Sequence, residues 1–144
     1  MEKTHLLKLE FNDLDFKKIR DIRKIVFFNE LNISESQLFD EYDYSCDHFL
    51  IFDGKNVVGS VRIIKFKKKL KLERMAILNE FRGMNYGRNC ISQIKEYYAT
   101  LNFSEIFLDS IFTIRGFYKK CGFIEKGKKF QRVGIDHIRM ESTF

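Results

Sequence analysis

Phe81-Arg82-Gly83-Met84-Asn85-Tyr86-Gly87-Arg88 is the stretch on which the reading of this chain turns. A strand-like run at 71–78 precedes it, and an amphipathic segment reaching about residue 102 follows, so the octet sits between a strand and a helix. Such a turn leaves backbone N–H groups free at the helix N-terminus. The positive end of the helix dipole adds to them, and together they seat phosphate oxygens. Gly83 and Gly87 permit close approach of the backbone, and Arg82 and Arg88 bring mobile positive charge. The turn suits a phosphorylated cofactor.

The spacing narrows the choice. A Walker loop needs Lys-Ser or Lys-Thr after its last glycine, whereas Arg88-Asn89 follows Gly87, which argues against nucleotide hydrolysis. The dinucleotide fingerprint Gly-x-Gly-x-x-Gly is absent as well. What remains is Arg-x-x-Asn-x-Gly at 82–87. Asn85 is one of the few non-glycine types that tolerates a left-handed backbone, so the turn is retained.

At 144 residues the chain is large enough for a real core, and 1–144 reads as one domain. No apolar run exceeds four residues (25–28 and 49–52), which argues against a membrane span. Met1-Glu2-Lys3-Thr4-His5 does not resemble a signal peptide. Cys46, Cys90 and Cys121 form no Cys-x-x-Cys pair and read as reduced thiols of a cytoplasmic protein. His5, His48 and His137 are too dispersed to suggest zinc, and no metal is expected. Residues 1–64 carry 9 Lys/Arg against 12 Asp/Glu, and residues 65–144 carry 17 against 8. A basic second half suits a ligand with several phosphates and would suit nucleic acid equally well. Its densest run, Lys65-Phe66-Lys67-Lys68-Lys69-Leu70-Lys71, reads as a solvated strand–turn–strand, and no nucleic-acid motif accompanies it.

The pattern is that of a mixed α/β chain. Alternation marks a strand at 6–11, and Asp13 or Asp15 is positioned to cap a helix whose apolar stripe holds Ile19, Ile22, Val26 and Leu31. Ser34-x-x-Gln37 has the form of a capping box and predicts a short second helix. Residues 48–52 and 56–66 read as strands around the Asp53-Gly54-Lys55 turn. A strand at 69–77 feeds the octet, and the next helix buries Cys90, Ile91, Ile94, Tyr98 and Leu101. A strand at 105–109, a helix at 113–121 ended by Gly122, and strands at 123–130 and 137–141 complete the order.

Octet and order together resemble the GNAT superfamily of acyl-CoA N-acyltransferases, whose pyrophosphate loop reads Arg/Gln-x-x-Gly-x-Gly/Ala; Asn85 stands where that loop usually has glycine. The likeness extends over residues 20–141. Leu72-Glu73-Arg74-Met75-Ala76-Ile77-Leu78 is similar to the family's strand before the loop. Phe117-Tyr118-Lys119-Lys120-Cys121-Gly122-Phe123 is similar to its Phe-Tyr-x-Lys-x-Gly-Phe segment. Gly134-Ile135-Asp136-His137 resembles the Gly-Ile-Pro-His closing strand of the ElaA-like subgroup, with Asp136 in place of proline. Arg23, Val26-Phe27, Glu30, Asp40-Glu41-Tyr42-Asp43 and His48-Phe49-Leu50 match that subgroup upstream, where Leu31 replaces the usual glutamine. The resemblance implies the α/β GNAT fold. That fold is a twisted, mixed, mostly antiparallel sheet of about seven strands flanked by about four helices, splayed between strands 69–77 and 105–109.

Amide formation sets its own requirements. The amine, with an ordinary pKa of about 10.4, must lose a proton, and the leaving thiolate, near roughly 8.5, must gain one. The thioester carbonyl must be polarised. The resemblance implies acetyl-CoA as co-substrate and direct attack by a primary amine in a ternary complex, without an acyl-enzyme. It implies that Met75, Ala76 and Ile77 align the pantetheine and polarise the carbonyl. Arg82, Gly83, Met84, Asn85, Tyr86, Gly87 and Arg88 would hold the pyrophosphate, and Tyr118 would protonate the thiolate.

Glu73 shares a strand face with Lys71 and Met75 and is the candidate base, acting through water; an Arg-paired carboxylate is the competing reading. His137 either packs, hydrogen-bonded, in the closing strand or orients the acceptor and serves as an alternative base. Arg74 points to the other face and reads as an ion-pair partner, and Cys121 has no identifiable base to activate it as a nucleophile. Arg23 and Glu30 share a helix face that borders the acceptor side in this fold. Glu30, Glu35, Asp40, Glu41 and Asp43 lean towards a cationic acceptor, whether a small molecule, a protein lysine or an N-terminus. Two other classes stay open: a non-catalytic acyl-CoA sensor and, less favoured, a nucleic-acid-binding module. Homodimers are common in the superfamily, and the sequence leaves the assembly open.

Overall fold

The computed structural model describes residues 3–144. Its strands are β1 (Thr4–Leu9), β2 (Asp47–Asp53), β3 (Asn56–Phe66), β4 (Lys69–Ile77), β5 (Glu105–Ile111), β6 (Ile124–Arg132) and β7 (Ile135–Thr143). They form one seven-stranded sheet in the order β1-β2-β3-β4-β5-β7-β6. Every neighbouring pair is antiparallel except β4 and β5. These two pair in parallel at three positions only, Lys69 with Glu105, Leu70 with Ile106 and Lys71 with Phe107. From Leu72 onward β4 has no partner on its β5 side, which is the expected splay.

Three α-helices flank the sheet: α1 (Phe16–Arg23), α2 (Tyr86–Ala99) and α3 (Arg115–Lys120). Helix α1 buries Phe16, Ile19 and Ile22 at helical spacing against Leu9, Leu50 and Ala76 on one face of the sheet. The opposite face packs Ile91, Ile94 and Tyr98 of α2 and Tyr118 of α3 on Phe49, Ile51, Ile63 and Leu70. Leu50 faces one layer and its neighbours Phe49 and Ile51 the other, because successive strand residues alternate. Each fully buried aliphatic side chain contributes about 1.5–3 kcal/mol before the cost of ordering the chain is subtracted.

Several local expectations change. The second helix forms only as a tight 3₁₀ turn at Glu35–Gln37, so the described residues hold three α-helices where about four are expected. Ser34 Oγ pairs with Ser36 Oγ at 2.9 Å and caps nothing. The capping box appears instead at Asp40 and Asp43, around the 3₁₀ turn Glu41–Tyr44. Asp13 Oδ2 accepts from the Glu10 N–H at 2.6 Å, closing a turn that ends β1 at Leu9, and Asp15 makes no side-chain cap. Beyond Arg23 the helix widens into π turns at Lys24–Glu30, which shifts the stripe and leaves Leu31 exposed. Leu101 lies past the end of α2 and is exposed too.

One irregularity positions the site. Ser60 pairs with Ala76 and Arg62 with Glu73, so Arg74 and Met75 together oppose Val61. This β-bulge holds Arg74 at φ +55°. Among the described residues no helix is long and apolar enough to cross a membrane.

Candidate active site

A 3₁₀ turn at Asn79–Phe81 carries β4 into the octet. Gly83 and Asn85 adopt φ values of +79° and +69°, the left-handed geometry read from the sequence. Asn85 is the N-cap of α2, yet its side chain makes no capping bond, and Asn89 N–H returns to its carbonyl at 2.9 Å. The first turn is therefore open to an outside acceptor at the positive end of the helix. A Cβ at position 87 would stand 2.9 Å from Phe117 Cζ, so any larger residue there would have to push the Phe117 ring aside.

Arg88 and Lys120 line the same cleft and form no ion pair among the described residues. Arg82 behaves differently from the mobile charge expected of it. Its Nε donates to the Ile77 carbonyl at 2.8 Å and its Nη2 pairs with Glu30 at 2.7 Å, bracing the loop against the π turns.

The loop opens into a cleft of about 590 Å³, lined by Arg82, Gly83, Asn85, Tyr86, Gly87 and Arg88 with Met75, Ala76 and Ile77 of β4. Met84, expected among them, points elsewhere and is 56% exposed. A second cavity of about 180 Å³ lies on the far side of the splay and is lined by Lys71, Glu73, Arg74, Asp109, Arg132 and His137 among others. Phe27, Met75, Ile111, Ile114 and Tyr118 line both.

Tyr118 thus stands where the two cavities meet. Its ring packs edge-on against Phe117 and Phe123 at 5.0 and 5.8 Å. Burial, with the nearby Cys121 and Cys90 thiols, pushes its phenol pKa up, so it keeps its proton at neutral pH. Burial also raises the pKa of the Cys121 thiol, which lines the larger cleft as an un-ionised group. His137 Nδ1–H donates to the Ile135 carbonyl at 2.8 Å, and the ring stacks on Phe130 at 5.9 Å. In the neutral ring this leaves the lone pair on Nε2.

Glu73 is held by Arg62, by Lys71 Nζ at 2.6 Å and, more loosely, by Arg74 Nη1 at 3.8 Å. Burial alone would raise its pKa; the bonds from Lys71 and Arg62 outweigh this and hold it below the ordinary carboxylate value. The paired reading of Glu73 is the one its surroundings match. Arg74 does not turn away from the site, because the bulge leaves it lining the smaller cavity.

Beneath that cavity runs a buried charge network that no local pattern announces. Arg62 grips Asp40 through both terminal nitrogens, at 2.6 and 2.8 Å, and reaches Asp43 at 3.0 Å. Asp43 also holds Arg23 at 3.0 Å, and Arg23 donates to the Leu38 carbonyl at 3.2 Å. Arg23, expected at the acceptor side, is 0% exposed and cannot touch a ligand. Glu30 lines the larger cleft and bonds Arg82 there. Of the carboxylates that lean towards a cationic acceptor, Asp40 and Asp43 are taken by arginines, Glu30 by Arg82, and Glu35 stands 3.9 Å from Lys24, while Glu41 is exposed and makes no ion pair among the described residues.

Asp43, Cys46 and His48 do come together, their donor atoms within 4.8 Å, which sequence spacing did not suggest. The facing atoms are engaged, since His48 Nε2–H donates to the Asp43 carbonyl at 2.8 Å and two guanidinium groups occupy the Asp43 carboxylate, while His48 Nδ1 is buried without a hydrogen bond among the described residues. Burial pushes the Cys46 thiol up to about 12. The cluster reads as a hydrogen-bonded core.

The sequence pattern of the family described as "Acetyltransferase (GNAT) domain" matches residues 28–144. YyaT, an uncharacterized protein of Bacillus subtilis (strain 168), is 30% identical over 131 residues, covering 89% of this chain and 88% of its own. The crystal structure of Escherichia coli ElaA superposes with a TM-score of 0.82 at 22% identity, over 96% of this chain and 99% of its own. A Bacillus subtilis acetyltransferase solved in complex with CoA superposes with a TM-score of 0.72 at 15% identity, over 99% of each chain. The loop before α2, the splayed sheet and the family match agree: the chain belongs to the GNAT acetyltransferase family.

Proposed function

We propose that this protein is an acyl-CoA-dependent N-acyltransferase that moves an acetyl group from acetyl-CoA to a primary amine by direct attack within a ternary complex. The observation that carries the reading is Tyr118 at the junction of two cavities, one opening at the loop before α2 and the other lined by Lys71, Glu73, Arg74, Asp109, Arg132 and His137 among apolar side chains. The open first turn of α2, with Arg88 and Lys120, would take the pyrophosphate. The unpaired edge of β4 at 73–77 would align the pantetheine amides, and an N–H near Met75–Ile77 would polarise the thioester carbonyl. Attack by the amine breaks the C–S bond, and Tyr118, protonated at neutral pH, gives its proton to the departing thiolate. Nε2 of His137 is the better-placed base, since Glu73 is tied to Arg62 and Lys71.

Calorimetry with CoA and a thiol-release assay over an amine panel test this reading. Tyr118→Phe is expected to lower turnover about 100-fold while leaving CoA affinity intact. Unchanged turnover would remove Tyr118 from the chemistry. CoA binding without thiol release from any amine would favour the non-catalytic sensor, and the absence of heat would overturn both.

A further inference from the structure

The smaller cavity contains more cation than carboxylate, and its carboxylates are already spoken for. Asp109 receives Arg139 at 2.6 Å, Arg132 at 2.9 Å and Lys71 at 3.5 Å. Glu73 is filled by Arg62 and Lys71. A carboxylate offers about four lone-pair sites, so neither retains much for a substrate ammonium.

The cations hold donors in reserve. Arg74 makes only long bonds, to the Leu38 and Gln37 carbonyls and Asp40 at 3.5, 3.4 and 3.4 Å, and its Nη1, 3.8 Å from Glu73, has no hydrogen bond among the described residues. Arg132 uses Nη1 on Asp109 and lies 5.2 Å over the Phe130 ring, leaving Nε and Nη2 without a hydrogen bond among the described residues. Arg74 also sits in a left-handed conformation that non-glycine residues seldom adopt, on the bulge beside Met75, a residue common to both cavities. The space is about 180 Å³, below the ~300–1,000 Å³ typical of drug-sized ligands.

Building on the acyltransferase reading, we infer that the acceptor is a small amine bearing an anionic group, which Arg74 and Arg132 bind in the smaller cavity. A polyamine would have to displace Lys71, Arg132 or Arg62 from their carboxylates; an anion only completes donors that are spare. The surplus cationic charge also disfavours the ammonium form of the bound amine, easing the deprotonation that attack requires.

Thiol release from acetyl-CoA should be compared across ω-amino carboxylates, their carboxamides, ω-aminoalkyl phosphonates and spermidine. Calorimetry of the same amines on CoA-loaded protein runs in parallel. The anionic acceptors are expected to exceed the matched carboxamides at least about tenfold in kcat/KM or affinity. Carboxylate against phosphonate identifies which anion is preferred. In Arg74→Gln and, separately, Arg132→Gln that advantage is expected to shrink towards unity with CoA affinity unchanged, and Arg74→Lys is expected to restore part of it. Carboxamides or spermidine matching or beating the anionic amines, with CoA bound, would overturn this inference and leave the acyltransferase reading standing. No heat with CoA would remove both.

Discussion

The two sides of the splayed sheet handle charge in opposite ways. On the loop side, Arg88 and Lys120 form no ion pair among the described residues and lie beside a helix end that has no side-chain cap. Beneath the smaller cavity, Arg62 is met by Asp40, Asp43 and Glu73, and Arg23 by Asp43. Depth explains the difference. A desolvated charge without a partner is costly, so Arg23 and Arg62, 0% and 1% exposed, are answered within the chain. Charges facing an open cleft can wait for a ligand. The contrast separates charges answered inside the fold from charges left facing a cleft.

Asp43→Ala is the severest way to break it. Removing the shared carboxylate leaves two buried guanidinium groups without their common partner, and the unfolding free energy is expected to fall by about 3–5 kcal/mol in a urea titration. A loss below about 1 kcal/mol would rank the network with ordinary surface pairs. Arg88→Ala probes the other side: stability within about 0.5 kcal/mol of the parent, but CoA affinity weaker by about 10- to 100-fold in calorimetry. Equal affinity would mean the cleft's free charge is not used.

Acid titration sharpens the comparison with a smaller effect. Asp43 and Glu73 both lie below their ordinary values of 3.8 and 4.5, because arginine and lysine partners outweigh burial. The unfolded chain then binds protons more readily than the folded one. Their stabilisation is complete above those ordinary values and is lost as pH falls through the depressed ones. Urea midpoints are expected to hold steady near neutrality and drop in acid, and the drop should be shallower in Asp43→Asn. An identical slope in that variant would place the acid sensitivity elsewhere.

Much of the loop was legible because its determinants are local. The left-handed Asn85 and the strand leading in are written within a dozen or so neighbouring positions, where turn chemistry decides, whereas the contact that crowds Gly87 comes from Phe117 on another helix. The charge network was not, because Arg23, Asp40, Asp43, Arg62 and Glu73 meet only once four separate segments have packed. Helical spacing put Arg23 on a face correctly, but it could not say that this face would be sealed. Ser34 and Gln37 carried the form of a capping box, yet Asp40 and Asp43 formed one, since their carboxylates also had arginines to meet. The π turns at Lys24–Glu30 and the bulge at Arg74 left no periodic signature, and Met84 shows that membership of a motif does not fix the direction of a side chain.

Three rungs join β4 to β5, and nothing in the ladder links them further along. The sheet is thus welded at one end and parted at the other, like a pair of tweezers. Any molecule lodged between the tips becomes a tie between two flanks that the backbone alone leaves separate. Rigidity in this protein would then be borrowed from its cargo, and the empty form should be the more pliant of the two.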